Sequence, residues 1–407
     1  MNARILCNTK QNDTFSNTIE EMELFSGKAA AVCYMKDDYN TISNEDNSKS
    51  LNRFNRVIET GHHSIADHCF ITVLFENIPK ITAMILNSVG FYNTSEKSGR
   101  YTVMNSNTQS GSKNEELYNK WRDKFLTLIK EYDPTIPDKL REKLALENAR
   151  YMLSIFAPNT TMVYTTSLRM WSYLVNWCER YIETADTHTM FNVELQFYVK
   201  ELLDTIKSIG CYSDKIVDNK NKQLYFLADQ IHFNVKYAEE NFSDSYLIKY
   251  RASFADLAQE QRHRTLQYYM CFDGEHQKFY TPKLLKHMDD IARSKAERSN
   301  LEVEWQLDLE SIKETFPIAT LVDIVETGFI QDFLTKCDER LCGRTQLETM
   351  NTVYNNLEKL YRNNNSIFSS ELFSRYVRNS EVVFKCGRVK CKEPCHWGGW
   401  KARYKCI

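Results

Sequence analysis

Residues 68–75 read His-Cys-Phe-Ile-Thr-Val-Leu-Phe, a β-branched and aromatic run that predicts a buried strand. A polar stretch to Asn52 precedes it, and a short helix over Lys80–Asn87 follows. After a further polar segment, Lys139–Phe156 sets Leu140, Leu144, Leu146, Ala149, Tyr151 and Leu153 at helical spacing. Met170–Tyr181 and Phe191–Ile206 continue that period. Gly, Ser, Asp, Asn and Lys cluster over Gly210–Asn221, where the apolar periodicity lapses, and mark a domain boundary. Beyond it the order recurs. A helix over Phe254–Arg264 leads to a strand over Thr265–Phe272, a charged insert, and a strand over Ile318–Val325 punctuated by Gly328. Helices over Phe329–Leu341, Thr345–Tyr361 and Ser370–Arg378 complete the pattern. The shared order of strand, helix and paired long helices points to an internal duplication.

Composition narrows the class. The 407 residues include only 12 Gly and 7 Pro, well below average usage near 7% and 5%, so turn-dense all-β, collagenous and low-complexity chains are disfavoured. The 52 Lys+Arg against 54 Asp+Glu leave no net field to gather nucleic acid, so an anionic ligand must be held by local arginines. No segment approaches the roughly 20 apolar residues that span a bilayer, and the first residues lack a basic and apolar leader. A soluble, cytoplasmic chain with no membrane or nucleic-acid partner is expected.

Three constellations carry donor-rich chemistry. Arg262-His263-Arg264 sits at the end of the helix that includes Gln259. Two arginines flanking a histidine can grip a phosphate or an electron-rich heterocycle edge. They also read as a solvated basic helix end, stabilised by the helix dipole. Glu96-Lys97-Ser98-Gly99-Arg100-Tyr101 can aim a hydroxyl, backbone N–H groups and a guanidinium at one phosphate, or form an ordinary polar loop. Gly61-His62-His63-Ser64, with Asp67 and His68 after it, lacks metal-ligand spacing and reads as turn histidines before the strand. No G-x-G-x-x-G, Walker A, G-x-S-x-G or H-E-x-x-H motif occurs, which removes support for dinucleotide-fold dehydrogenases, P-loop enzymes, α/β hydrolases and zincins.

Together these pieces resemble the flavin-dependent thymidylate synthases, over most of both halves. The family joins an Arg-His-Arg triplet to a Ser-x-Arg-Tyr loop; here the two are split. Glu96, Ser98, Gly99, Arg100 and Tyr101 match the loop, but Ser88-Val89-Gly90 stands at the triplet position of the first half. Arg262, His263 and Arg264 match the triplet in the second half, with Gln259 upstream, and the loop is missing there. Gly61-His62-His63-Ser64 is similar to the family's Gly-His-x-Ser/Thr element. Glu147-Asn148-Ala149-Arg150 is similar to its nucleotide-binding helix, and Thr166-Ser167-Leu168-Arg169 to its Asn-x-Arg segment, with Ser167 in place of Asn. Pro317, Thr327, Arg340, Gln346 and Glu348 fall at the family spacing.

The resemblance implies an α+β fold of two tandem domains, residues 1–212 and 213–380, each a small antiparallel sheet packed with long helices. It implies reductive methylation of dUMP with methylenetetrahydrofolate as carbon donor, NADPH as reductant and FAD as carrier. Arg340 would be the catalytic group that polarises the pyrimidine. Glu96, Ser98, Gly99, Arg100, Arg150, Gln259 and Arg262 would bind dUMP, and His62, Ser64, Arg169, Arg262, His263 and Arg264 would face FAD. Fused halves, each retaining what the other lost, would form sites where they meet, and a homodimer would make a pseudo-tetramer. The alternatives are a related flavin- and folate-dependent enzyme that transfers another one-carbon unit, such as hydroxymethyl, and a non-catalytic nucleotide-binding paralogue.

Residues 381–407 form a Cys-rich tail. Cys386, Cys391 and Cys395, with Cys406 further on, crowd together as metal ligands do in a reducing compartment. With Cys342 they could supply one tetrahedral zinc site; a loose, reduced tail is the other reading.

Overall fold

The computed structural model describes residues 1–9, 18–34, 38–100, 102–103, 112–218, 240–242, 245–272, 274, 276–342, 345–363, 376–378, 381–382 and 406–407. In chain order the elements are β1 (Asn2–Asn8), α1 (Ile19–Ala31), α2 (Tyr39–Ser43), α3 (Asn47–Glu59), β2 (Phe70–Ile78), α4 (Lys80–Leu86), β3 (Tyr92–Glu96), α5 (Lys113–Tyr132), α6 (Asp138–Ala149), β4 (Thr160–Ser167), α7 (Leu168–Thr184) and α8 (Met190–Ile209). There follow β5 (Glu240–Phe242), β6 (Ser245–Ser253), α9 (Phe254–Glu260), β7 (Gln267–Cys271), α10 (Lys283–Ser294), α11 (Leu301–Glu310), β8 (Leu321–Phe329), α12 (Ile330–Arg340), α13 (Leu347–Asn363), β9 (Val377–Arg378) and β10 (Glu381–Val382). The fold is α+β. Both four-stranded sheets are antiparallel and share one order, β1-β2-β4-β3 and β5-β6-β8-β7. Omitting α1–α3, the succession of two strands, helix, strand, two helices, strand, two helices occurs twice. Among the described residues no helix is long and apolar enough to cross a membrane.

The chain divides into two compact units, Met1–Lys97 with Pro158–Tyr225, and Ser98–Ala157 with Phe226–Ile407. The segment containing α5 and α6 therefore packs with the second half of the sequence.

In the first unit, Ile71, Val73 and Phe75 are fully buried on one face of β2, the alternation expected of a strand half-covered by helices. The cover includes α7, started by Ser167, whose hydroxyl accepts the Met170 N–H. Trp171 on α7 is buried and donates its indole N–H to the Ile71 carbonyl at 3.2 Å. A Cβ at position 27 would stand 2.1 Å from the Ser50 carbonyl oxygen, so α1 and α3 reach their spacing because residue 27 is glycine. The strand predicted from His68 begins at Phe70, because His63–His68 is a 3-10 turn. The polar opening stretch contains β1 and α1–α3.

In the second unit, Trp121 and Phe125 on α5 meet Trp305 on α11 edge-on, at 4.8 Å and, for Phe125, 5.8 Å between ring centroids. All three are fully buried, and edge-to-face aromatic packing adds to the stabilisation from area alone. The Trp121 indole N–H donates to Asp308 at 2.8 Å. Helices α5, α10 and α11 occupy stretches that read as polar or charged inserts. Two further expectations are corrected. The helix drawn to Arg264 stops at Glu260, where the His263 and Leu266 amides turn back to Glu260 and His263 in three-residue steps. In the segment Ser370–Arg378, residues 370–375 lie outside the described residues, and Val377–Arg378 is a strand paired with β10 rather than the end of a helix.

Candidate active site

A dense donor cluster lies within the second unit and draws on both halves of the sequence. Arg150 follows α6 directly, at the start of a 3-10 turn, and is buried. One of its terminal N–H groups donates to the Gln346 side-chain oxygen. Burial pushes its pKa down, and the positive charge of Arg100 adds to that effect. Arg100 is half-buried, its guanidinium 3.6 Å from Glu147. Its backbone N–H approaches the Ser98 hydroxyl at 3.4 Å, and the Thr102 N–H bonds the Ser98 carbonyl at 3.2 Å, so the Ser98-Gly99-Arg100 turn is tied to itself.

Arg340 closes α12, at the end of the helix. It donates to the Gln259 carbonyl at 3.2 Å. Burial lowers its pKa, Glu339 opposes that, and Arg100 lowers it again. Arg100 thus acts electrostatically on both Arg150 and Arg340, opposed by Glu147 and Glu348 at Arg150 and by Glu339 and Glu260 at Arg340. Gln259, on the last turn of α9, joins the group twice: its carbonyl receives Arg340 and its side-chain amide donates to Gln346.

Several buried atoms here have no hydrogen-bond partner among the described residues: Nε of Arg150, Nε of Arg340, Oε1 of Gln259 and Nε2 of His263. Leaving a buried polar atom unpaired costs about 1–3 kcal/mol, so their concentration in one place marks a surface shaped for a polar ligand. His263 is buried, and its pKa is pushed down to about 2 by burial, with Arg340 and Lys336 contributing. The ring is neutral at physiological pH. Arg262 is half-buried and Arg264 exposed.

Beneath this layer stands a carboxylate network. Lys336 on α12, one turn before Arg340, is fully buried, its ammonium 2.9 Å from Glu260 and 2.7 Å from Glu326. Tyr246 and Tyr250 donate their hydroxyls to Glu326 at 2.6 and 2.9 Å. Burial raises the pKa of Glu260.

The remaining sequence candidates sit in the first unit. His62 and Ser64 are exposed. Gly61, at φ +84°, ends α3 with its N–H on the Ile58 carbonyl at 2.8 Å, and the His62 N–H returns to Val57 at 3.1 Å. This paired closure needs a left-handed residue and fixes where His62 leaves the helix. His63 is internal, between the Tyr173 hydroxyl at 2.8 Å and the Ile58 carbonyl at 3.0 Å. Arg169 is held by Asp67, its Nε 3.0 Å from one carboxylate oxygen, and lies 5.8 Å from the Tyr173 ring centroid. Glu96 pairs with Lys80 at 2.6 Å.

The structure therefore gathers Ser98, Gly99, Arg100, Arg150, Gln259, Arg262, His263, Arg264 and Arg340 in one unit, and His62, Ser64, Glu96 and Arg169 in the other. Tyr101 lies outside the described residues. Missing from the sequence-derived site were Glu147, beside Arg100, and Gln346, which links Arg150 to Gln259. The family spacing of Gln346 and the helix resemblance that includes Glu147 were the available signals. Cys386, Cys391 and Cys395 lie outside the described residues, and Cys342 is buried. Among the described residues no cluster of three or more His, Cys, Asp or Glu is placed to hold a metal.

Residues 17–180 match the family model described as "Thymidylate synthase complementing protein". No curated protein matches the chain. Among solved structures, similarity is found to a UMP/dUMP methylase, PolB, from Streptomyces cacaoi bound with 5-Br dUMP, at 12% identity and TM-score 0.31, covering 51% of this chain and 95% of that one. Thymidylate Synthase X from Helicobacter pylori with FAD and dUMP is similar at 15% identity and TM-score 0.31, covering 54% of this chain and 100% of that one. The family match spans Gly61–Ser64, Ser98–Arg100, Arg150 and Arg169 and stops before Gln259, the Arg262–Arg264 triplet and Arg340.

Proposed function

We propose that the chain is a flavin-dependent enzyme that methylates dUMP, with the net reaction dUMP, methylenetetrahydrofolate, NADPH and a proton giving dTMP, tetrahydrofolate and NADP+. The observation that carries this reading is the neighbourhood of Arg100, Arg150 and Arg340 around Gln259, with unpaired donors and acceptors left among them. Three guanidiniums suit a nucleotide that presents a phosphate dianion and an electron-rich pyrimidine edge. Arg100 and Arg150 would take the phosphate, with the Ser98-Gly99 turn beside it. Gln259 and Arg262 would fix the nucleoside. Arg340 would stand at the pyrimidine edge and stabilise the charge that develops when the ring is polarised.

The donor set also fits a flavin. His263 presents an unpaired nitrogen on a neutral ring and could pair with a heterocycle edge, with Arg264 beside it. FAD, when bound, would supply the redox chemistry between NADPH and the substrate. The repeated order of elements supports a tandem duplication, and a homodimer is the expected assembly. The test is a product assay with dUMP, methylenetetrahydrofolate, FAD and NADPH, with the nucleotide product weighed by mass spectrometry. Formation of dTMP supports the reading; a hydroxymethylated product, or none with a colourless protein that ignores FAD, overturns it.

A further inference from the structure

Gln346 sits where the arginine cluster meets the interior, and its contacts form a chain with a fixed polarity. The Ser253 backbone N–H can only donate, and it reaches Glu348 at 2.9 Å; the Ser253 hydroxyl reaches the other oxygen of the same carboxylate at 2.7 Å. The Ser253 hydroxyl also receives the Asp256 N–H at 3.1 Å, so its own proton is free to point at Glu348. The Tyr151 hydroxyl likewise commits its proton to Glu348. Its oxygen is left as an acceptor, and the Gln346 NH2 fills it. The amide can then stand only one way round. Its oxygen faces outward, where it receives both Arg150 and Gln259.

We propose that Gln346 is a positioning residue that aims Arg150 and Gln259 while leaving the arginine charge unneutralised, so that this charge is kept for a phosphate dianion. A carboxylate in this place would hold Arg150 equally well by geometry, but it would cancel the charge. Arg150 is buried and feels the positive charge of Arg100 together with the negative charges of Glu147 and Glu348, so a neutral acceptor adds no further neutralisation, whereas an acidic one would. This deepens the nucleotide-binding reading and rests on it for the identity of the ligand.

The test uses the full chain carrying Gln346→Glu, nearly identical in shape, and titrates dUMP, deoxyuridine and inorganic orthophosphate against it and the wild type. Affinity for dUMP and orthophosphate is expected to fall about 10- to 100-fold, the range of one charge-assisted hydrogen bond, with deoxyuridine affinity and the thermal midpoint nearly unchanged. Lowering the pH protonates the introduced carboxyl, restoring a neutral group that can donate to Tyr151, so the ratio of variant to wild-type affinity should climb back toward one. A variant that binds dUMP like the wild type, or loses deoxyuridine in the same proportion, overturns the proposal. If Gln346→Glu fails to fold, Gln346→Met supplies the comparison: it removes the aim without adding charge, and unchanged orthophosphate binding in it would also overturn the proposal. Wild-type protein that takes orthophosphate but not dUMP would sink the dUMP reading and leave the role of Gln346 standing. Binding of neither would sink both.

Discussion

Guanidiniums gathered in a partly dry neighbourhood repel one another, and burial weakens each charge further. Arg150 and Arg340 show both effects, burial first and the charge of Arg100 after it. Such an arrangement stabilises the fold poorly, which is the usual mark of residues placed for a ligand. Replacement of Arg340 by Ala is expected to lower turnover about 100- to 1,000-fold, the effect of removing one well-placed donor from a developing charge, while the protein remains yellow with bound FAD. Steady-state rates and the flavin spectrum check this together, and an unimpaired rate would remove Arg340 from the chemistry. His263 carries a separate, pH-dependent consequence. Its folded pKa of about 2 lies far below the ordinary 6.5, so below pH 6.5 the unfolded chain binds a proton that the folded chain refuses. Stability is full above that value and falls as pH drops, by at most about 1.4 kcal/mol per pH unit from this group. Between pH 7 and 5 the unfolding free energy of wild type should fall about 2 kcal/mol more than that of His263→Gln. Equal slopes would show that the ring is not held neutral.

Helix α12 carries Arg340 at its last residue and the buried Lys336 one turn earlier. Lys336 is fully enclosed between Glu260 and Glu326; burial works against its charge, but the two carboxylates hold its pKa up. Removing one member of such a cluster strands the others. Lys336→Met should therefore destabilise the protein by about 3–5 kcal/mol in urea unfolding, and adding Glu326→Gln should recover part of that loss. A neutral single variant would mean that the carboxyls are already protonated. At this scale the fold was legible only in part. The run Phe70–Phe75 announced β2 by composition, and the periods in α6, α7, α8 and α13 announced those helices. Helix α5 escaped because charged residues fill the spaces between Leu117, Trp121, Phe125 and Leu128, yet those four buried residues keep the helical interval. Strand β1 escaped for the opposite reason: most of its residues are exposed, leaving almost no apolar pattern. Of the candidate site, the residue types at Arg100, Arg150, Arg262–Arg264 and Arg340 could be read. The contacts Gln346 makes with Arg150 and Gln259 could not, because they join positions nearly 200 and 90 residues apart.

At the scale of the whole molecule, the boundary read from the Gly- and Asn-rich stretch at 210–221 and the boundaries of compactness differ in a way that makes a strong prediction. Residues 98–157 precede that stretch in sequence but share a unit with Phe226–Ile407. A chain cut after residue 212 would strip α5 and α6 from the second half. It would uncover the Trp305 ring that Trp121 and Phe125 bury and take Arg100 and Arg150 away from Arg340 and Gln259. Losing a large aromatic contact of this kind costs about 3–5 kcal/mol, a large part of the total stability of an ordinary domain. A fragment of residues 213–407 should therefore show red-shifted tryptophan emission, unfold without a cooperative transition and bind no dUMP. A fragment of residues 98–407 keeps every residue of the second unit and should keep a cooperative transition, while Trp171, stripped of β2, adds red-shifted emission. Mixing 1–212 with 213–407 should restore part of the blue shift, because α5 and α6 arrive on the first fragment. If 213–407 folded cooperatively by itself and bound nucleotide as the whole chain does, the exchange of the α5–α6 segment would have no energetic meaning, and each half would stand as an independent domain.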